Sequence, residues 1–213
     1  MINKILSLQL GKVKLEGELC IPEKSESLVI FAHGSGSSRF STRNNYVASE
    51  LQKKHIGTFL FDLLTREEDE LYANRFNIDL MTDRLLSVTQ FLLSYPPCIK
   101  LNFGYFGAST GSASAISAAC RLNHEIKAVV SRGGRPDLVA SCAEKLKVPI
   151  LLIIGENDDD VLEFNTNFFN ILKCEKKIEI IEGATHLFEE PGALDLVAKS
   201  TSDWFVKYLC ADK

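Results

Sequence analysis

A glycine-flanked serine in the middle of the chain constrains the fold more than any other feature. The stretch Gly107-Ala108-Ser109-Thr110-Gly111 follows a short aromatic run at residues 102–106 and precedes a run of small residues at 112–119. The first run predicts a buried strand, and the second predicts a helix. Glycines two residues on either side of Ser109 permit a strand-to-helix turn so sharp that the serine backbone is strained and its hydroxyl projects outward. The motif therefore predicts Ser109 as a nucleophile.

Length and charge exclude several classes of protein. The 213 residues are enough for one domain with a sizeable core, and we expect residues 1–213 to form it. A net charge of −4 without a basic run argues against binding nucleic acid. No apolar run approaches the roughly 18 residues that cross a membrane, and the first ten residues do not resemble a signal peptide. We expect neither a membrane nor a nucleic acid as partner, and the sequence leaves the oligomeric state open.

The cysteines indicate the compartment. Six of them are scattered along the chain without a C-x-x-C pair, so we expect no zinc site and no other metal. Scattered thiols without a signal peptide fit a reducing cytoplasm better than a secreted, disulfide-bonded fold. We therefore predict a cytoplasmic protein.

Hydrophobic patterning predicts an α/β fold. Residues 3–10 and 12–20 alternate apolar and polar side chains around Gly11, which predicts an antiparallel hairpin. Beyond it, predicted strands alternate with helices, which is typical of a mainly parallel, twisted sheet with helices on both faces. The predicted strands are 28–32, 58–61, 102–106, 126–130, 149–154 and 177–181. The predicted helices cover about 44–55, 79 to the prolines at 96–97, 112–119, a short segment before 149, and 161–172. A last helix is predicted to begin at Pro191.

Two connections between these elements are informative. The charge run at residues 65–70 is interpreted as a solvated loop. The connection between residues 131 and 149 is too short to hold a lid domain.

Three polar residues each follow a predicted strand. Ser109, Asp158 and His186 come in this order, and ligands bind at the carboxyl ends of parallel strands. Imidazole can accept a proton from a serine hydroxyl near neutral pH, and a carboxylate can fix the histidine tautomer. These residues are predicted to be a catalytic triad. Asp158 is preferred to Asp159 and Asp160 because it lies in the turn directly after the strand.

The oxyanion formed during acyl transfer needs preorganised N–H donors. The backbone N–H of Thr110, directly after the serine, is predicted to be one. The second is predicted to be Ser35, in the loop after the first parallel strand. His33, in the same loop, is interpreted as structural rather than catalytic.

Two arginines flank Gly133-Gly134 directly after a predicted strand. Guanidinium groups at this edge could hold a carboxylate or phosphate through paired hydrogen bonds. Arg132 and Arg135 are therefore candidate substrate-binding residues for a small anionic ester or lactone. The alternative is that they form salt bridges with Asp137 or with the acidic residues 67–68.

The chain resembles the α/β-hydrolase superfamily over essentially its whole length, and within it the dienelactone hydrolase-like group, including hydrolase domains sometimes fused to phosphoribosyltransferases. The resemblance implies an α/β-hydrolase fold without a lid domain, and it places the nucleophile, acid and base at Ser109, Asp158 and His186. Dienelactone hydrolase proper uses a cysteine nucleophile and a His-Glu oxyanion stretch, whereas this chain has serine and His33-Gly34-Ser35; a dienelactone substrate is therefore not implied. The resembling stretches are 31–39, 61–68, 104–111, 130–137 and 183–188.

These observations predict a serine hydrolase that cleaves a small ester or thioester without a metal or organic cofactor. Three alternatives remain. A hydrolase-fold protein without activity would act as a binding module. A nucleotide-binding oxidoreductase would use Gly107 and Gly111 to cradle phosphate, although such a motif belongs on the first strand. An acyltransferase would differ only in the acceptor of the acyl group.

Overall fold

The structure is a computed structural model that describes residues 1–122 and 124–210. Within these residues, eight strands form one sheet in the order β1-β2-β4-β3-β5-β6-β7-β8. The strands are β1 (Ile2–Leu10), β2 (Val13–Ile21), β3 (Ser27–Ala32), β4 (Gly57–Phe61), β5 (Asn102–Ala108), β6 (Ile126–Arg132), β7 (Ile150–Gly155) and β8 (Lys176–Ile181).

The sheet is parallel except at β2. That strand pairs antiparallel with both β1 and β4, while the pairs β4–β3, β3–β5, β5–β6, β6–β7 and β7–β8 are parallel. The β1–β2 hairpin turns at Gly11, whose φ of 60° suits glycine. The predicted N-terminal hairpin and mainly parallel sheet are confirmed.

Six helices and two 3₁₀ segments accompany the sheet within the described residues. The helices are α1 (Thr42–Lys53), α2 (Arg66–Glu70), α3 (Ile78–Ser94), α4 (Thr110–Arg121), α5 (Asp159–Ile171) and α6 (Ala193–Leu209), and the 3₁₀ segments are Tyr72–Phe76 and Pro136–Cys142. Helices α3, α4 and α5 bury their apolar residues on one face of the sheet, and α1 and α6 pack on the other.

Strand β5 shows how the core forms on both faces. Phe103 and Tyr105 pack with α3 and α4, whereas Phe106 and Ala108 pack with α1 and α6. All four are buried, which accounts for the nearly continuous apolar sequence of this strand. The arrangement holds the carboxyl end of β5, and the turn that follows it, between two packed layers.

Two sequence predictions need correction. The charge run at 65–70 is not a loop: Arg66–Glu70 is helical because the Thr65 hydroxyl accepts from the Glu68 N–H while the Glu68 carboxylate accepts from the Thr65 N–H. The last helix begins at Ala193 rather than at Pro191, because Gly192 precedes it with a left-handed φ of 81°.

The connection between β6 and β7 carries only the 3₁₀ segment Pro136–Cys142, so the described chain has no lid domain there. Across residues 1–122 and 124–210, none of the helices combines the length and apolar character needed to cross a membrane.

Candidate active site

Ser109 lies on a sharp turn between β5 and α4. Its φ of 51° and ψ of −123° are strained for a residue with a side chain. A Cβ on Gly107 would lie 2.4 Å from the Cα of Ser112, and one on Gly111 would lie 2.3 Å from the Ala32 carbonyl oxygen. Both glycines are therefore required for α4 to pack closely on the strand ends, as the motif predicts.

Hydrogen bonds lock the backbone of this turn. The Ser109 N–H donates to the Arg132 carbonyl oxygen at 3.1 Å. The Ser109 carbonyl accepts from the Ser112 hydroxyl at 2.7 Å and from the Arg135 N–H at 3.3 Å. The segment after β6 thus supports the strained turn.

Asp158 and His186 meet at the ends of β7 and β8. The Nδ1 atom of His186 lies 2.6 Å from Oδ2 of Asp158. Asp158 occupies the position before the first turn of α5, yet its side chain makes no capping hydrogen bond. The carboxylate is therefore directed to the imidazole, and it is well covered, with 15% of the side chain exposed.

Asn157 joins the loop that carries Asp158 to the loop that carries His186. The Asn157 backbone N–H donates to the Ala184 carbonyl at 2.9 Å, and its side-chain amide donates to the Gly183 carbonyl at 3.0 Å. Asp159 and Asp160 belong to the first turn of α5, and neither bonds to His186 within the described chain. The structure thus brings Asp158, the acid chosen from the sequence, to the imidazole.

Ser109 and His186 open into one cleft of about 180 Å³. Gly34 lies under the serine, where a Cβ would be 3.0 Å from the Ser109 Cβ. Gly133 has a φ of 52°, and a Cβ there would lie 3.3 Å from Cε1 of His186. The cleft is lined by Gly34, Ser35, Ser37, Ser41, Arg43, Asn44, Ala108, Ser109, Arg132, His186 and Leu187.

The two predicted oxyanion residues contact each other. The backbone N–H of Ser35 donates to the side-chain hydroxyl of Thr110 at 2.8 Å, and Thr110 is buried. The Ser35 N–H, which was predicted from the sequence to bind the oxyanion, therefore donates to the Thr110 hydroxyl in this structure. This bond joins the loop after β3 to the first residue of α4.

The His33 ring links that loop to the residues after β4. Its Nδ1 lies 3.0 Å from the Gly34 carbonyl, and its Nε2 accepts from the Leu63 N–H at 3.0 Å. These partners place the proton on Nδ1 and keep the ring neutral, and burial lowers the pKa of His33 below its ordinary value. The structural interpretation of His33 agrees with this geometry.

Arg132 lines the cleft as a buried cation. It is 6% exposed, and its guanidinium donates to Oδ1 of Asn44 at 3.3 Å and lies 5.7 Å from the ring centre of Phe188. No carboxylate of the described chain is within ion-pair distance. Burial, together with the neighbouring charge of Arg43, lowers the pKa of Arg132 to about 10.

A second arginine in the cleft was missed by the sequence analysis. Arg43, on α1, lines the cleft beside Arg132 and pairs with Glu189 at 2.8 Å, while its buried Nε has no hydrogen-bond partner among the described residues. The sequence carries one signal for it: Arg43 lies in the first turn of the helix that follows the predicted oxyanion loop.

Arg135 does not line the cleft. Its guanidinium makes two hydrogen bonds to the Asp137 carboxylate, at 2.9 and 2.8 Å, and lies 5.0 Å from the ring centre of Phe164. The structure corrects the prediction of a substrate contact for Arg135, because its side chain is held by the alternative partner, Asp137. Its backbone N–H instead holds the Ser109 turn.

Among the described residues, no three histidine, cysteine or acidic side chains cluster so that they could hold a metal ion.

Comparison with known proteins identifies the family. The chain is similar to the crystal structure of a dienelactone hydrolase from Anabaena variabilis, with 47% identity, a TM-score of 0.94 and 98% of each chain covered. The chain belongs to the dienelactone hydrolase-like group of α/β-hydrolases. This places it in a family of hydrolase-type enzymes.

More distant structures share only the fold. Est1E from Butyrivibrio proteoclasticus has 17% identity and a TM-score of 0.83, covering 95% of this chain and 98% of its own. An esterase from Pyrococcus furiosus has 20% identity and a TM-score of 0.74, covering 98% of this chain and 93% of its own.

A curated relative is longer than the chain. A putative phosphoribosyl transferase of Mycobacterium tuberculosis is 48% identical over 200 residues, which are 94% of this chain and 45% of the relative. The chain thus spans less than half of that protein. No family model matches the chain.

Proposed function

We propose that this protein is a serine hydrolase that cleaves a small ester or thioester through an acyl-enzyme on Ser109. The observation that carries the proposal is that His186, which is paired with Asp158, lines the same cleft as Ser109 on its strained turn. Membership of a hydrolase family supports it.

In this mechanism Asp158 accepts the hydrogen bond from His186 Nδ1–H, which leaves Nε2 free to act as a base. Nε2 takes the hydroxyl proton as Ser109 Oγ attacks the carbonyl carbon. The tetrahedral intermediate collapses when the imidazolium returns that proton to the leaving alkoxide or thiolate. A water molecule, deprotonated by the same imidazole, then hydrolyses the acyl-enzyme.

The oxyanion is held at the junction of Ser35 and Thr110. The Thr110 backbone N–H is one donor. The Thr110 hydroxyl accepts from the Ser35 N–H and keeps its own hydrogen to donate, so it can relay the polarising effect of that amide to the oxyanion. Ser35 then acts through Thr110 in the resting geometry.

The preferred substrate is a small anionic ester or lactone. A buried guanidinium without a carboxylate partner is costly, and a substrate carboxylate or phosphate in the cleft would compensate it. Arg132 is the anchor in this proposal and Arg43 adds a second positive charge. The size of the cleft and the lack of a lid in the described chain favour a small molecule.

The nucleophile is tested by covalent labelling with a fluorophosphonate and by hydrolysis of graded p-nitrophenyl esters and acyl thioesters. We expect the label on Ser109, with Ser109→Ala losing both labelling and turnover. Ser114→Ala is the matched control, because Ser114 is buried on the same helix and its hydroxyl has no partner there.

Absence of labelling and of turnover in the unmodified protein would instead support the binding-module alternative. An excess of alcohol acceptor separates hydrolysis from acyl transfer: a hydrolase releases free acid as its main product.

A further inference from the structure

Three of the six cysteines lie close to one another, and none of them lines the cleft that contains Ser109 and His186. Cys120 lies in the last turn of α4, Cys142 ends the 3₁₀ segment after β6, and Cys174 lies between α5 and β8. All three are partly exposed and in the thiol form. They are well separated in sequence, and only the packing of α4 on the 3₁₀ segment brings them together.

Cys120 and Cys142 are in direct contact. The Cys120 thiol donates to the Cys142 carbonyl oxygen, with 3.5 Å between Sγ and O. Cys174 is close enough to interact electrostatically with Cys120. Cys120 and Cys142 are therefore in contact, and a disulfide between two cysteines requires them to be neighbours.

The surroundings make the two thiols unequal. The hydrogen bond from Cys120, together with the positive charges of Lys145 and Arg121, outweighs burial and lowers the pKa of Cys142 to about 7. The same hydrogen bond and burial raise the pKa of Cys120. The thiolate is the reactive form of cysteine, and the positive charges of Lys145 and Arg121 favour it at Cys142.

We propose that Cys142 and Cys120 form a redox-active dithiol, in which Cys142 reacts with a hydroperoxide and Cys120 then closes a disulfide with it. This proposal does not depend on the catalytic mechanism of Ser109. It assigns a modification site to residues that ester cleavage does not use.

The chemistry balances with hydrogen peroxide as the oxidant. The Cys142 thiolate attacks one peroxide oxygen, the O–O bond breaks, and the products are a sulfenic acid and hydroxide. Cys120 sulfur then attacks the Cys142 sulfur, the S–O bond breaks, and the Cys120 proton leaves with the departing hydroxide as water. Two thiols are oxidised, one peroxide is reduced, and a thiol reductant reverses the change.

The disulfide would enclose β6, which ends at Arg132, and the segment that follows it. It would tie the end of α4, whose first residue follows Ser109, to the end of the 3₁₀ segment beyond Arg135. Because a cross-link restricts the unfolded chain, we expect the oxidised protein to melt at a higher temperature than the reduced protein.

The test treats the whole reduced protein with one equivalent of hydrogen peroxide and follows thiol loss, intact mass and disulfide mapping. We expect two of the six thiols to be lost, one Cys120–Cys142 disulfide, and full reversal by dithiothreitol. Cys142→Ser should slow thiol loss by about tenfold or more. Cys120→Ser should instead accumulate a sulfenic acid on Cys142 that a dimedone probe captures.

Cys174→Ser is the matched control and should oxidise as the unmodified protein does. A disulfide that includes Cys174, or Cys142→Ser oxidising at the original rate, would overturn the proposal. Persistence of all six thiols under these conditions would overturn it as well. Circular dichroism of each reduced variant establishes that a change in rate does not come from misfolding.

Discussion

The backbone N–H of Ser35 donates a hydrogen bond to the side-chain hydroxyl of Thr110 across 2.8 Å, joining the two residues predicted to stabilise the oxyanion. In the structure without substrate, the Ser35 N–H thus donates to a side chain of the protein. In the proposed mechanism, the Thr110 side chain therefore takes part in binding the oxyanion together with the Thr110 backbone.

Replacing Thr110 with valine removes this hydroxyl while keeping the branched shape. We expect Thr110→Val to lower kcat by about 10²-fold, since the loss of one oxyanion donor has an effect of this size. KM should change little, because the interaction forms with the developing charge. Thr110→Ser restores the hydroxyl and should retain activity within a few-fold. Equal or higher activity in Thr110→Val would mean that the hydroxyl only blocks the Ser35 N–H.

The proposed acid of the triad, Asp158, can be distinguished from its neighbours by single amide substitutions. Asp158→Asn should reduce kcat by about 10⁴-fold, because an amide no longer stabilises the imidazolium or the correct tautomer. Asp159→Asn and Asp160→Asn are controls on the same turn and should remain close to the original rate, since neither carboxylate bonds to His186. A severe loss in either control would reassign the acid. Steady-state kinetics on one good ester substrate measures all three.

Substrate charge is tested by comparing an anionic ester with its neutral methyl-ester counterpart. Arg132→Gln should lower the ratio of the two kcat/KM values by about tenfold, because the buried guanidinium no longer attracts the substrate charge. Arg135→Gln is the matched control and should leave the ratio unchanged, since this side chain pairs with Asp137 outside the cleft.

Ligand stabilisation gives an independent measurement of the same charge. Small carboxylates should raise the melting temperature of the unmodified protein and fail to do so in Arg132→Gln, because a ligand that binds only the folded state stabilises it. An unchanged kcat/KM ratio together with an unchanged carboxylate effect would rule out Arg132 as the anchor.

His33 makes the stability of the fold depend on pH. Burial lowers the pKa of His33 in the folded protein below the ordinary value of 6.5, which the unfolded chain retains. At a pH between the folded and the unfolded pKa, the unfolded chain therefore binds a proton that the folded chain does not. The free energy of unfolding should therefore be unaffected by this group above about pH 6.5 and fall as the pH drops below it.

Chemical denaturation at several pH values tests this contribution. In His33→Gln the decline between about pH 6.5 and 5 should be shallower than in the unmodified protein, by up to about 1 kcal/mol per pH unit. Equal slopes in the two proteins would show that another group causes the acid sensitivity.

Local patterns in the sequence were sufficient for the scaffold of the fold and for part of the site. The strands and helices follow from apolar periodicity, and the turn at Ser109 follows from glycines two residues away on either side. Asp158 was recognisable because it directly follows a buried strand, and His186 because it ends the last one. Each of these signals lies within a few residues of the feature that it predicts.

Predictions from the sequence were wrong where the structure depends on which of several possible partners a side chain binds. The charges at 65–70 favour a solvated loop until the reciprocal bonds of Thr65 and Glu68 are known, and these make a helix. Arg132 and Arg135 are alike in sequence, being three residues apart around two glycines. Only the packed structure shows that one is buried in the cleft without an acid while the other is paired with Asp137.

The sequence by itself determined the order of strands and helices, the strained serine and the order of its predicted partners, because backbone geometry and hydrophobic burial act over short spans of chain. Tertiary structure alone decided that Arg43 joins Arg132 in the cleft, that Ser35 bonds to Thr110, and that Cys120 meets Cys142. These contacts join residues 22 to 89 positions apart in the printed sequence. Their geometry depends on how helices pack on the sheet, which no local pattern specifies.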